Sequence, residues 1–104
     1  MAEVIFEKGE IKNVWIQFEE RDAGTVTTSA QTFDVVDGDG NVLQAVGNAS
    51  VQNNGTSLVQ VYGLVDTSEE SFEDGTAYKV RFTVTIGSEI YKVHVPMRVG
   101  EQRL

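Results

Sequence analysis

The stretch "YKVRFTVTIGSEIYKVHVPMRV", Tyr78 to Val99, decides how this chain folds. Tyr78, Val80, Phe82, Val84 and Ile86 alternate with Lys79, Arg81, Thr83 and Thr85, the period of two expected of a strand with one buried face. After Gly87-Ser88 the alternation resumes, with Tyr91, Val93, Val95, Met97 and Val99 against Lys92, His94, Pro96 and Arg98. Two such runs joined by a short glycine-containing link predict a tight hairpin. Pro96 has no N–H for a ladder, so its nitrogen is expected to face an edge or an irregularity.

The same logic extends upstream. Glu3 to Lys8 reads as a short strand, and Ile11 to Glu19, rich in β-branched and aromatic types, reads as a longer one after a bend at Gly9. Gln31 to Val36, Val42 to Ala45, Ala49 to Gln52 and Leu58 to Val65 complete the set, with Asn53-Asn54-Gly55 as the turn before the last of these. Arg21 to Ser29 is polar and reads as a connecting loop or frayed edge. Asp66 to Asp74, "DTSEESFED", reads as a long acidic loop with room for one helical turn. The prediction is an all-β chain, an antiparallel β-sandwich of seven to eight strands, forming one domain over residues 1–104.

Composition narrows the function. The chain has no cysteine, which removes disulfides, thiolate metal sites and cysteine nucleophiles together. Sixteen acidic residues against eight basic ones give a net charge of −8, which repels phosphate backbones and argues against nucleic-acid binding. No window approaches a membrane span and the opening residues have no secretory leader, so a membrane partner and export are not expected. Asn48-Ala49-Ser50 and Asn54-Gly55-Thr56 match the glycosylation sequon and are read as turn residues.

The stretch "DVVDGDGNVL", Asp34 to Leu43, raises the question of a metal site. Asp37, Asp39 and Asn41 have the spacing of a calcium loop's first ligands. Counted from Asp37, however, the sixth and twelfth positions are Val42 and Asn48 where glycine and glutamate are needed, and strands rather than helices flank the segment. The residues suit a hairpin turn, so no metal and no cofactor is expected. His94 is the sole histidine, which excludes a multi-histidine centre, and no catalytic signature occurs, so a non-enzyme is expected.

The segment "EDGTAYKVRFTVTI", Glu73 to Ile86, resembles the region around the sixth strand of immunoglobulin-like and fibronectin-type domains, where a tyrosine after an Asp/Gly turn bonds back across a corner. The resemblance implies that role for Tyr78, with Tyr91 packing beside it. The inter-sheet cysteines of antibody domains are absent, and Trp15 falls on the second strand instead of the third. More broadly, a short, acidic, cysteine-free chain with an early "DGDGN" turn and a late "YKVRFTVTIG" hairpin resembles the small β-sandwich proteins in the structural modules of tailed bacteriophages and prophages. That resemblance implies head decoration, head-tail joining or a tail accessory role, made in the host cytoplasm and carried in the virion. It implies as partners other virion subunits, through a homo-oligomer or by docking on a larger shell. The alternative is a stand-alone immunoglobulin-like binding module for carbohydrate or a cell-surface protein, for which an exposed aromatic platform involving Trp15, Phe18 and Tyr62 would speak.

Charge placement suggests contact residues. Alternation puts Lys79, Arg81, Lys92, His94 and Arg98 on one outer face of the last hairpin, while Asp66, Glu69, Glu70, Glu73 and Asp74 crowd the preceding loop. One reading is a solvated face that blunts an edge; the other is complementarity between basic face and acidic loop in a head-to-tail contact. Phe72 is either the apolar anchor of such a contact or a plug over the open end of the sandwich. The strand Ile11 to Glu19 is apolar on both parities, which points to one face covered by another chain.

Overall fold

The computed structural model describes residues 3–20, 24–68, 72–73 and 75–100. Its strands are β1 (Val4–Phe6), β2 (Ile11–Glu19), β3 (Thr28–Val36), β4 (Val42–Asn48), β5 (Ser50–Gln52), β6 (Leu58–Asp66), β7 (Thr76–Ile86) and β8 (Glu89–Val99). They form two sheets packed face to face, one of five strands in the order β1-β8-β7-β3-β4 and one of three in the order β2-β6-β5. The predicted β-sandwich is therefore present, with one departure from a wholly antiparallel sheet: β1 runs parallel to β8. The reason is the route of the chain, which leaves β1 by crossing to the other sheet through Glu7–Glu10 instead of folding back as a hairpin.

The hairpin of β7 and β8 is paired without a break from Thr76↔Val99 to Ile86↔Glu89. Gly87 adopts a φ of 63°, the positive value that the first position of a II′ turn requires. β1 pairs β8 only at Met97–Val99, so Pro96 sits just beyond that short ladder, where the donor it lacks is not needed. Alternation then sorts the side chains. Tyr78, Val80, Phe82, Val84, Val95, Met97 and Val99 are buried between the sheets, where they meet Val14, Ile16, Val59, Val61 and Val65 from the opposite layer.

Sequence-derived limits shift mainly at strand ends. β3 begins at Thr28, inside what reads as a polar loop, because Thr28 pairs with Ile86 of β7 and its backbone is bonded by Asn54 as well. Thr28 N–H donates to its Oδ1 at 2.9 Å and its Nδ2 donates to Thr28 O at 3.1 Å. At the other limit of the acidic loop, Thr67 is fully buried and its hydroxyl donates to Glu10 O at 2.7 Å, tying the end of β6 to the β1–β2 turn.

The turn between β3 and β4 answers the question posed by the aspartates. Asp37 Oδ1 accepts from the N–H groups of Asp39 and Asn41, both at 2.9 Å, and Oδ2 accepts from Asn41 Nδ2 at 3.1 Å. The carboxylate thus organises its own turn. The side-chain bond from Asn41, followed by backbone N–H donors, lowers the Asp37 pKa. A lowered folded-state value contributes stability that is present above the unfolded pKa and lost as pH falls through the folded one. Asp37→Ala is accordingly expected to be less stable than the parent at neutral pH, with the gap closing below about pH 4, in urea titrations run at several pH values.

Tyr78 closes the corner between β6 and β7. Its hydroxyl accepts from Glu73 N–H at 2.8 Å, five residues upstream, and its ring meets Phe72 edge-on at 5.1 Å. Tyr78→Phe leaves that part-buried N–H without its acceptor and is expected to cost about 1–2 kcal/mol in chemical denaturation. Tyr91 does not pack beside Tyr78 as expected: it lies opposite Val84 near the hairpin tip, edge-on to Phe18 at 5.9 Å.

Candidate functional site

Two outer surfaces carry features that the core does not explain. The first is the outer face of the five-stranded sheet. Pairing sets Arg81 beside His94 on one side and Asp34 on the other, with Thr83 opposite Lys92 and Thr32. This face holds an open concavity of about 440 Å³, lined among others by Thr32, Asp34, Val46, Arg81, Lys92 and His94.

At its floor Asp34 is nearly buried, at 5% exposure, and is gripped in a two-point pair. Arg81 Nε donates to Oδ1 at 2.9 Å and Nη2 to Oδ2 at 2.6 Å. The bond from Asp34 raises the Arg81 pKa, against an opposing effect of burial, so the guanidinium stays charged and is held in one orientation. Lys92 and His94 stand exposed on the same wall. This arrangement presents positioned donors suited to a carboxylate brought by a partner.

The basic residues predicted for contact therefore do share this face, but they are not equivalent. Arg81, Lys92 and His94 line the concavity. Lys79 lies further along β7, opposite Pro96. Arg98 is drawn off to Glu3, with Nε donating to Oε1 at 3.3 Å. Two of the charges expected to face a partner, Arg81 and Arg98, thus also have an acidic partner within the chain, while their side chains stay 39% and 46% exposed. Phe72 as an exposed anchor is corrected: at 1% exposure it is a plug, seated against Tyr78. Glu69, Glu70 and Asp74 lie outside the described residues; of the other two acidic residues of that segment, Asp66 turns its Oδ1 to the Ser68 N–H at 2.9 Å and Glu73 gives its N–H to Tyr78.

The second surface is the outer face of the three-stranded sheet. Trp15 and Tyr62, paired across β2 and β6, stack at 4.1 Å between ring centroids with 28° between planes. Leu64, opposite Asn13, lies diagonally between Trp15 and Ile11, so Ile11, Leu64, Trp15 and Tyr62 form one apolar row. Three of its members are exposed, Ile11 at 51%, Trp15 at 44% and Leu64 at 54%, and Tyr62 is half-buried under the Trp15 ring. Asn13, Gln17, Gln60 and Ser50 border it with amide and hydroxyl groups. Phe18 belongs to the other parity, half-buried against the core, and is not part of this surface.

Sequence reasoning missed Asp34, Thr32 and Thr83 as neighbours of the basic residues. The outward parity of Asp34 could be read from "TFDVV", but its position opposite Arg81 depends on β3 lying beside β7, a long-range choice with no local signal. Among the described residues no three His, Asp or Glu side chains are placed to share a metal ion, and no helix is long and apolar enough to cross a membrane. No protein-family model matches the chain, and no curated protein resembles it closely enough to serve as a relative.

Proposed function

We propose that this chain is a non-catalytic structural subunit of a phage or phage-like particle, a head decoration, head-tail joining or tail accessory protein that works through protein–protein contacts. The observation that carries the reading is the apolar row in which Ile11, Leu64 and Trp15 are left in solvent beside the half-buried Tyr62, on a sheet face of a strongly acidic chain. A contiguous apolar row rimmed by polar groups marks a contact surface. The concavity that holds Arg81 and Lys92 supports it from the opposite face, since a chain of net charge −8 that sets an arginine and a lysine against a single aspartate there offers a local positive patch to acidic subunits like itself. The strand order supports the immunoglobulin-like part of the reading. In immunoglobulin lettering, β8-β7-β3-β4 follow as G-F-C-C′ and β2-β6-β5 as B-E-D, with Tyr78 in the corner position. The test is quantitative peptide mass spectrometry of particles banded from a producing culture. A fixed copy ratio to the major shell protein is expected; the chain remaining wholly in the soluble fraction would overturn the reading.

One observation favours the alternative of a carbohydrate-binding module: a Trp–Tyr pair on a sheet face bordered by Asn13, Gln17 and Gln60 combines the ring surface and amide donors that sugars use. Trp15 is the chain's only tryptophan, so its emission reports that surface alone. On the protein-contact reading, titration with a panel of oligosaccharides leaves the emission unchanged; a saturable shift that Tyr62→Ala abolishes would establish the module instead.

A further inference from the structure

Each sheet of an open sandwich ends in strands whose outward N–H and C=O groups lack partners, and folded chains normally blunt those edges. Here all but one carry a recognisable device. β1 and β5 are three residues long. The length of β8 left uncovered by β1 carries Pro96, Lys92 and Glu89. β4 is broken by two register shifts. The part of β6 beyond β5 is capped by Gln44, which donates to Leu64 O at 3.0 Å and accepts from Asp66 N–H at 3.1 Å.

β2 lacks the shortness, proline, register shifts and cap of the others, and its two charges, Lys12 and Glu19, stand near its two ends. It is nine residues long, contains no proline, and pairs with β6 in unbroken register from Ile11↔Asp66 to Glu19↔Leu58. Among the described residues its backbone bonds to nothing beyond β6. Its one inward-facing charge, Lys12, is turned aside, with the amine donating to Ile5 O and lying 4.7 Å from the Phe6 ring centroid.

We propose that the β2 edge is a self-association site, where β2 of a second copy pairs antiparallel about a two-fold axis at Trp15 and joins the two three-stranded sheets into one. The strand is self-complementary in that register, which is also the one that pairs its whole length. Trp15 faces Trp15, Asn13 faces Gln17, Val14 faces Ile16, Lys12 faces Phe18 and Ile11 faces Glu19, so no like charges meet. Outer-parity residues meet outer-parity residues, and the apolar row continues across the junction. Backbone bonding supplies the affinity and the Trp15 pair fixes the centre.

This site is separate from the concavity on the other sheet and responds oppositely to salt. Edge pairing of two chains of net charge −8 tightens as salt screens their repulsion, whereas a contact through Arg81, Lys92 and His94 loosens. Analytical ultracentrifugation of the full chain, from micromolar to millimolar concentration, reads the outcome. The parent is expected at twice its 11.4 kDa chain mass, with the dimer favoured by added salt. Asn13→Lys combined with Gln17→Lys sets like charges opposite each other twice and weakens the dimer by about tenfold or more. Asn13→Lys combined with Gln17→Glu sets opposite charges there and restores it. Both positions are exposed, and unchanged urea midpoints confirm that the variants fold. A parent that stays monomeric throughout, a dimer indifferent to the double lysine variant, or a lysine–glutamate variant that fails to restore the dimer would each overturn the proposal.

Discussion

Phe72→Ala is expected to lower the unfolding free energy by about 3–5 kcal/mol, a large share of the roughly 5–15 kcal/mol that holds a chain of this size. The residue belongs by sequence to an acidic segment and by geometry to the core, at 1% exposure with its ring edge-on to Tyr78 at 5.1 Å. Truncation leaves a cavity at the open end of the sandwich and removes the support under the corner that Tyr78 closes through Glu73 N–H. Urea denaturation followed by tyrosine and tryptophan emission measures the loss. A surface anchor would behave in the opposite way, leaving the midpoint unchanged while weakening only a contact with a partner, so the same variant separates the two roles. A stability change within a few tenths of a kcal/mol would return Phe72 to the surface.

The second large effect is expected at Gly63. This position faces inward from β6, and a Cβ built there falls 2.6 Å from Cδ1 and 2.7 Å from Cε1 of Phe33. The Phe33 ring lies directly over the glycine and is stacked on Phe82, which is fully buried, at 5.9 Å and 29° between planes, so it has nowhere to retreat. Gly63→Ala is expected to cost about 1–3 kcal/mol, which lowers the melting temperature by roughly 5–15 °C for a domain of this length. Gly63→Val forces two further methyl groups into the same space and is expected to prevent folding. A melting temperature unchanged in the alanine variant would mean that the two sheets do not approach at this point.

These two residues also show where sequence stops informing. Alternation along Tyr78–Ile86 and Tyr91–Val99 states which side chains turn inward, because a strand's period is independent of what it packs against, and the hairpin follows from it. The β-branched and aromatic content of Ile11–Glu19 and the run Leu58 to Val65 add strands upstream, and with them the sandwich class. Gly63 carries no such mark. A glycine in a strand reads as a weak spot until the other sheet supplies Phe33. Phe72 is ambiguous for the same reason: its five acidic neighbours describe the loop's solvation and say nothing of one ring inserted beneath it. At the candidate surfaces, the shared face of Arg81, Lys92 and His94 was legible from parity alone. The Asp34 pair that fixes Arg81, and the Glu3 pair that removes Arg98, depend on β3 and β1 lying beside the hairpin, choices made by long-range pairing. The same holds for the apolar row, where Trp15 is half of a surface that the register of β2 against β6 completes.

That row is where the proposed function meets the structure, and position 15 is the place to interrogate it. Trp15→p-benzoylphenylalanine places a photo-cross-linking ring at the centre of the exposed face, in the full chain and in the producing cell. Irradiation is expected to yield one protein adduct of defined mass, its partner peptide belonging to a particle subunit or to β2 of a second copy. A chain that is folded, irradiated and recovered with no protein attached would contradict the claim that this protein works by contact through that face.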